Sequence, residues 1–357
     1  MLIALRRIVA FALLAPAALA AQRPTSAADV KRLLYPLADD SMAGRMTGSP
    51  GEAMAARFIA AEMQRIGLKP LGDSGYFQRV AVAAMPLAAP SRSGRTERIV
   101  LLKSLADLDT IPAERRRPSV NVLGVLEGSD PVLKNEIVLI DAHFDHIGTG
   151  LAIGGDSIYN GADDDASGVT AVLEIARQLS TGLAPRRTVL FVATTGEEVG
   201  MFGTRWFIDH PPIPLSQFVG NMEIEMIGRP DSLAGGPGKA WLTGFERSNM
   251  GEQLAAAGIP IVADRRPDQH FFERSDNIAF ARRGIVAHTL SSYNMHTDYH
   301  QPTDDVSRID IDHMVAVVNA AAQATRLLAD GPKPEWKPGG APIPATRAPQ
   351  GPARPPQ

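Results

Sequence analysis

The chain has 357 residues, and its 36 basic and 39 acidic side chains leave a formal net charge of −3. A charge so close to zero argues against a protein that binds nucleic acid or an acidic membrane surface through its overall field. The apolar fraction of 45% and the charged fraction of 21% are typical of a globular protein, not of a disordered or fibrous one. Because cysteine is absent, disulfides and thiolate chemistry are excluded, and any metal must be held by nitrogen and oxygen ligands.

The first twenty residues have the pattern of a secretory signal peptide. The basic pair Arg6-Arg7 precedes an apolar run over residues 8–20, which ends in the small-residue sequence Ala-Leu-Ala. The run is shorter than the ~20 residues of a membrane-spanning helix and contains Pro16, which favours a cleaved signal over a retained anchor. We therefore expect residues 1–20 to be removed and the mature protein to be exported, to the periplasm or the exterior, without a membrane anchor.

The two remaining parts of the chain differ in composition. Residues 21–330 alternate helical and strand patterns, as in a single α/β domain. Residues 331–357 are dominated by proline, glycine and alanine and lack apolar periodicity, which predicts a disordered tail.

Apolar spacing predicts the elements of this domain in chain order. Two amphipathic helices are expected within residues 30–40 and 51–68, the second ending at Gly67. Residues 77–114 have a mixed pattern, too short a stretch to predict an inserted domain. Strands are then predicted over residues 121–128, 136–142, 187–194, 218–228 and 284–291, and helices over 167–180, 246–258, 275–283 and 309–330. This order predicts a mostly parallel, twisted mixed sheet sandwiched between helices.

Polar residues cluster after the predicted strands, where an open α/β sheet places its ligand crevice. The clusters are His143 to His146, Asp163 to Asp165, Glu197 with Glu198, Glu223 with Glu225, and residues 295–304 with His296 and His300. Taken singly, the three aspartates suit a helix cap and the glutamate pair suits a solvated turn. Because all five clusters have the same position relative to predicted strands, they indicate a metal centre instead. Because the several carboxylates and two histidines outnumber the three protein ligands of a single catalytic zinc, two metals sharing a bridging carboxylate are favoured.

Five sequences within these clusters also resemble a known family. They are AHFDH at 142–146, GADDDASG at 161–168, GEEVGMFG at 196–203, EMIG at 225–228 and YHQPTDD at 299–305. Together they resemble metallopeptidase family twenty-eight, which includes secreted leucyl aminopeptidases and aminopeptidase Y. The resemblance extends over most of the mature domain and implies the phosphorylase/hydrolase-like fold of the zinc-dependent exopeptidases, with two divalent metal ions, expected to be Zn²⁺.

The resemblance implies a role for each residue of the site. His143 and Glu225 would ligate one metal, Glu198 and His300 the other, and Asp164 would bridge both, with Asp163 as its rival. Many members of the family have aspartate where this chain has Glu225. Glu197 would be the general base, Asp145 would orient His143, and Tyr299 would help to polarise the substrate carbonyl. His146 and His296 are expected at the rim of the site.

These observations predict an exported zinc aminopeptidase that acts on peptides with a free N-terminus. Two alternatives share the fold: a glutaminyl-peptide cyclase, which holds one zinc, and a carboxypeptidase acting on dipeptides. The presence of His143 favours the two-metal peptidase over the cyclase. A non-catalytic binding module would have lost the base or the ligands, yet Glu197 and every expected ligand type are present.

Overall fold

The computed structural model describes residues 23–90 and 95–343 of the chain. The predicted signal peptide and residues 344–357 lie outside this part. The α-helices are α1 (Ala27–Leu37), α2 (Pro50–Ile66), α3 (Gly168–Ser180), α4 (Phe202–Asp209), α5 (Met250–Ala256), α6 (Asn277–Ala281) and α7 (Ile311–Asp330). Helix α2 ends as predicted, because Gly67 adopts the left-handed conformation (φ 88°) that a side chain disfavours.

Ten of the strands form one sheet. The strands are β1 (Lys69–Pro70), β2 (Phe77–Pro86), β3 (Glu97–Leu101), β4 (Arg116–Leu126), β5 (Ile137–His143), β6 (Gly148–Ile153), β7 (Asp156–Tyr159), β8 (Thr188–Thr194), β9 (Phe218–Ile224), β10 (Ala240–Leu242), β11 (Ile261–Ala263) and β12 (Ala287–Ser291). The order across the sheet is β11-β10-β12-β9-β5-β8-β4-β2-β3, with β1 beside β4, while β6 and β7 form a separate hairpin.

Parallel pairing is confined to the centre of the sheet and to one outer pair. Strands β12, β9, β5 and β8 run parallel, and so do β10 and β11. Strands β4, β2 and β3 add an antiparallel edge, and β10 is antiparallel to β12. The α/β class is confirmed, but residues 77–114, whose pattern was mixed, supply β2 and β3. Antiparallel neighbours need no helical crossover, so this edge carries no alternating helix signal.

Helices cover both faces of the central strands. Every residue of β5, β8 and β9 is buried. Alternate residues of β5 enter two different cores: Val138 and Ile140 pack with α1, α2, α3 and α7, whereas Ile137 and Leu139 pack with α4 and α6. Burial on both faces explains why these strands are apolar throughout.

The predicted tail beginning at residue 331 is wrong for residues 331–343. Trp336 forms a backbone bridge with Ser248, and its Nε1–H donates to the carbonyl of Gly284 at 3.1 Å. The backbone N–H of Lys337 donates to the carbonyl of Arg247 at 2.9 Å. A single large aromatic ring packed against the core fixes a segment that has no periodicity of its own. Within residues 23–90 and 95–343, no helix combines the length and apolarity that crossing a bilayer requires.

Candidate metal centre

The candidate site lies at the carboxyl ends of the parallel strands β5, β8 and β9. His143 is the last residue of β5, Glu197 and Glu198 follow β8, and Glu225 follows β9. In the register of β5 and β8, His143 lies opposite Thr194. Because β5 lies between β8 and β9, three polar loops meet at one edge, as expected for an open α/β sheet.

Asp164 lies at the centre of this site. Its Oδ1 is 3.2 Å from Nε2 of His143, and its Oδ2 is 3.2 Å from Nε2 of His300. Oε2 of Glu198 is 3.1 Å from the same nitrogen of His300. Two groups of ligand atoms result, His143 with Asp164 and Glu225, and His146 with Asp164 and Glu198, the atoms of each group within 4.8 Å of one another. One carboxylate shared by two groups is the arrangement that a bridging ligand requires.

The donors of these groups fit divalent cations. Among the described residues, Nε2 of His143, Nε2 of His300 and Oε1 of Glu198 are buried without a hydrogen-bond partner. Ligands at 2.0–2.2 Å around a tetrahedral zinc ion lie about 3.3–3.6 Å from one another, slightly more than the separations of 3.1 and 3.2 Å seen here. Nitrogen and carboxylate donors that converge without bonding one another suit zinc.

The three consecutive aspartates, Asp163 to Asp165, have three different roles. Asp163 accepts the N–H of Gly228 at 2.7 Å and lies 3.0 Å from Nε2 of His296, so it is held outside both ligand groups. Asp165 accepts the N–H groups of Gly168 at 2.9 Å and of Met226 at 3.0 Å. It therefore ties the start of α3 to the end of β9, which is the capping role that aspartate commonly has. Only Asp164 joins the ligand groups found in the described residues.

The prediction that His146 lies at the rim is wrong, whereas His296 is outside both ligand groups. His146 is 1% exposed, and its Nδ1 is 2.8 Å from Oε1 of Glu198 and 3.9 Å from Oδ2 of Asp164. The side chain of His296 is 8% exposed and is paired with Asp163. The loop that carries His146 turns inward because the N–H of His146 donates to the carbonyl of Arg45 at 3.3 Å. The second histidine of HFDH was a ligand-capable signal that sequence reasoning set aside.

Arg45 is a fully buried cation beside the site, and sequence reasoning missed it. Its guanidinium donates to four main-chain carbonyls, those of Leu37, Phe144, Asn160 and Gly161, at 2.5–3.0 Å. Phe144 follows the ligand His143, and Gly161 precedes the three aspartates. Arg45 thus joins two loops that carry ligands.

Arg229 is a second cation that the sequence analysis missed. It pairs with Asp298 at 2.6 Å and with Asp304 at 3.3 Å. The buried carboxylate of Asp304 accepts the N–H of Asp164 at 3.0 Å. The pair therefore links the loop that carries His300 to the backbone of the candidate bridging ligand. The only hint in the sequence was the density of acidic residues, because several carboxylates close together need a cation near them.

Asp145 acts on the site differently from the predicted manner. Nδ1–H of His143 donates to the main-chain carbonyl of Asp145 at 3.2 Å, while the carboxylate is 3.8 Å away. The carboxylate instead accepts from the hydroxyl of Thr47 at 2.9 Å and from the N–H of Glu197 at 3.1 Å. A main-chain carbonyl serves as well as a carboxylate to fix a histidine tautomer. Asp145 is therefore a positioning residue, which holds His143 and the backbone of Glu197.

Glu197, Glu225 and Tyr299 line the same cavity, which opens to solvent. Burial raises the pKa of the Glu197 carboxyl well above its usual range, and the charges of Glu198 and Glu225 act in the same direction. Burial, together with the charge of Glu223, raises the pKa of Glu225 to about 8. Burial among these carboxylates also raises the pKa of Tyr299, so its hydroxyl remains a hydrogen-bond donor.

Two neighbours complete the surroundings of the cavity. The ring of Tyr299 stacks on His300 with centroids 3.8 Å apart. The carboxylate of Glu223 accepts from the N–H of Asn277 at 2.9 Å and from the hydroxyl of Thr289 at 2.7 Å. Glu223 therefore anchors the start of α6 and is not a member of the ligand groups, although it precedes Glu225 by only two residues.

Known proteins share sequence or fold with this chain. The family model described as "Peptidase family M28" matches residues 121–325, more than half of the chain. The chain is 26% identical over 215 residues to the vacuolar membrane protease of Botryotinia fuckeliana, a match that covers 59% of this chain and 18% of that protein. The vacuolar membrane protease of Saccharomyces cerevisiae is 34% identical over 105 residues, which cover 29% of this chain and 10% of that protein. The chain thus spans about a fifth or less of these curated relatives.

Solved structures share the fold. The aminopeptidase from Aneurinibacillus sp. strain AM-1 superposes with a TM-score of 0.59 at 17% identity, covering 89% of this chain and 97% of that chain. BSAP, a zinc aminopeptidase from Bacillus subtilis, superposes with a TM-score of 0.60 at 15% identity, covering 86% and 96%. At such identities the comparison establishes a common fold.

Proposed function

Because the chain belongs to peptidase family M28, and hence to the metallopeptidases, we propose that it is an exported zinc-dependent aminopeptidase that hydrolyses the N-terminal peptide bond of peptides. The observation that carries the proposal is the position of Asp164, which is shared by two groups of ligand atoms and lines one cavity with Glu197. Export rests on the signal pattern of residues 1–20.

In this proposal the ligands divide between two cations. His143, Asp164 and Glu225 would hold one, and Asp164, Glu198 and His300 the other, with His146 next to Glu198. Divalent ions bound there supply Lewis acidity toward the scissile carbonyl and the attacking water.

The side chains carry the proton transfers. The carboxylate of Glu197 takes a proton from the attacking water while the water oxygen bonds to the carbonyl carbon. The same carboxyl then returns the proton to the leaving amine as the C–N bond breaks. The Tyr299 hydroxyl, which lines the cavity, donates a hydrogen bond to the oxygen that develops negative charge. The acidic end of the cavity would receive the α-ammonium of the substrate, which favours removal of a terminal residue over cleavage within a chain.

The test combines metal content with turnover. Purified protein is analysed for metal per chain, and hydrolysis of aminoacyl p-nitroanilides is measured before chelation, after chelation and after zinc is returned. We expect close to two metals and chelator-sensitive hydrolysis. One metal without amide hydrolysis would favour the cyclase, and a metal-free, inactive protein would favour a binding module.

A Glu197→Gln variant tests the assignment of the base. We expect turnover to fall by at least about 10²-fold, the smaller contribution usual for a general base, while metal content stays at the wild-type level. Loss of metal together with turnover would mean that Glu197 is a ligand.

A further inference from the structure

The cavity beside the candidate metal centre is lined by a cation that the proposed mechanism does not use. Its lining includes the carboxylates Asp164, Glu197 and Glu225, the guanidinium of Arg274, and the rings of Trp241 and Phe271. Asp164 and Glu225 are accounted for as ligands of the candidate cations, and Glu197 as the base. Arg274 contributes to none of the ligand groups.

The guanidinium of Arg274 has no counter-ion in the described residues. Arginines elsewhere around the site are paired: Arg229 with two aspartates, and Arg266 with Asp231 at 2.6 Å. Arg274, in contrast, is an exposed residue that makes no ion pair and no side-chain hydrogen bond within residues 23–90 and 95–343, and its guanidinium carbon lies 5.1 Å from the centre of the Phe271 ring. An arginine held over an aromatic face keeps its donors free for a ligand.

A second donor that lines the cavity also lacks an acceptor among the described residues. Trp241 is 3% exposed, and its Nε1 has no hydrogen-bond partner among the described residues. Buried indole N–H groups normally find an acceptor. The Trp241 ring stacks on Phe271 with centroids 5.1 Å apart, so Trp241 and Arg274 both pack against one ring.

We propose, resting on the aminopeptidase function above, that Arg274 and the Nε1–H of Trp241 bind a carboxylate of the substrate. A carboxylate has acceptor oxygens that match both the planar guanidinium and the indole N–H. Its binding by Arg274 and Trp241, with the α-ammonium at the carboxylates that line the cavity, would fix the orientation of a dipolar substrate. The stacked rings of Trp241 and Phe271 suit the methylene groups between the two charges.

Peptides offer this carboxylate from two sources, and matched substrates distinguish them. Glutamyl and glutaminyl p-nitroanilides differ only in the side-chain carboxylate of the N-terminal residue. Leu-Ala and Leu-Ala-amide differ only in the terminal α-carboxylate. The ratio of kcat/KM within each pair is measured for the wild type, Arg274→Met and Trp241→Phe. Arg282→Met is the control, because Arg282 is exposed like Arg274 but lies outside the cavity lining.

We expect the wild type to prefer the carboxylate-bearing member of one pair by about tenfold, and Arg274→Met to lose that preference. Trp241→Phe, which retains a ring but not the N–H, should lose part of the preference for the carboxylate-bearing substrate. Arg282→Met should keep the whole preference. A preference in the glutamyl pair identifies the side chain as the source, and one in the dipeptide pair identifies the terminal carboxylate. Ratios that are the same in Arg274→Met and Arg282→Met would overturn the proposal.

Binding without turnover separates this proposal from the function on which it rests. Calorimetric titration of the metal-loaded protein with L-glutamate and with L-glutamine measures how much the side-chain carboxylate adds to the binding affinity. The measurement is made for the wild type and for Arg274→Met. If no amide is hydrolysed while glutamate binds more tightly than glutamine only when Arg274 is present, the peptidase proposal fails and the carboxylate site stands. If hydrolysis occurs and neither the kcat/KM ratios nor the affinities depend on Arg274, the carboxylate site fails and the peptidase proposal stands.

Discussion

Replacing Arg45 by methionine should strongly destabilise the protein, because this arginine holds two ligand-bearing loops from inside the core. Arg45 is fully buried and donates to the carbonyls of Leu37, Phe144, Asn160 and Gly161. Methionine fills part of the space but donates nothing. The carbonyls of Leu37, Phe144 and Asn160 would then lose this donor in a place that water does not readily reach, whereas that of Gly161 keeps the N–H of Ala166 at 3.2 Å.

The expected loss is large relative to the stability of a typical domain. Each buried acceptor left without a donor costs about 1–3 kcal/mol. Part of this cost is offset, since the desolvation of a buried cation is relieved at the same time. We expect a net loss of about 3–5 kcal/mol, the range found when a buried charge interaction is broken, against a usual stability of about 5–15 kcal/mol. Arg45→Lys keeps the charge but not the planar guanidinium, so its free energy of unfolding should lie between those of Arg45→Met and the wild type.

Urea denaturation followed by tryptophan fluorescence measures the free energy of unfolding. With a slope of about 3 kcal/mol per molar urea, the midpoint of Arg45→Met should fall by about 1–2 M. The matched control is Arg57→Met on α2, because Arg57 is exposed and should change stability by no more than about 0.5 kcal/mol. If Arg45→Met unfolds within about 1 kcal/mol of the wild type, or if Arg57→Met is as unstable, Arg45 does not hold these loops.

Three further predictions concern pH, the buried ion pairs and the second ligand group. Burial lowers the pKa of His288 to about 4 from 6.5, so the unfolded chain takes up this proton at higher pH than the folded one. The stability that depends on neutral His288 is fully present above about pH 6.5 and is lost as the pH falls toward 4, by about 3 kcal/mol at 1.36 kcal/mol per pH unit. The difference in unfolding free energy between wild type and His288→Asn should follow this pH dependence, and a difference that is constant from pH 4 to 7 would contradict it. Arg229→Met leaves the buried carboxylate of Asp304 without its cation, so we expect a loss of about 3 kcal/mol in the same urea assay; an unchanged midpoint would mean that Asp304 is held by its backbone hydrogen bonds alone. His146→Gln and His300→Gln should each weaken zinc binding about tenfold or more, measured by competition with a chelating dye, and wild-type affinity in His146→Gln would exclude His146 from the second group.

The sequence alone determined the main helices, the central strands and the chemical type of the site. Apolar runs such as that of β8 are buried on both faces, and this burial is local information that a run of apolar letters reveals. Because the ends of parallel strands meet at one edge of a sheet, the order of strands and polar clusters along the chain already predicts that His143 and Glu198 lie near each other. The absence of cysteine limited the ligands to nitrogen and oxygen donors.

The tertiary structure decided which of several equivalent residues takes each role. The family resemblance favoured Asp164 over its rival Asp163, and the structure separates the three aspartates because other loops offer partners to Asp163 and Asp165. His146 was misplaced for the same reason, since the contact that turns it inward comes from Arg45, about one hundred positions earlier in the chain.

The edge strands, the segment around Trp336 and the unpaired donors of the cavity were likewise decided in three dimensions. Trp336 stabilises a segment whose composition predicts disorder, because its half-buried ring packs against residues far away in the chain. Arg274 is one arginine among many in the sequence, and only the folded chain shows that no carboxylate in the described residues reaches it. Periodicity and composition record what each segment buries, whereas the partner of a charged or polar group depends on which distant segments the sheet order brings together.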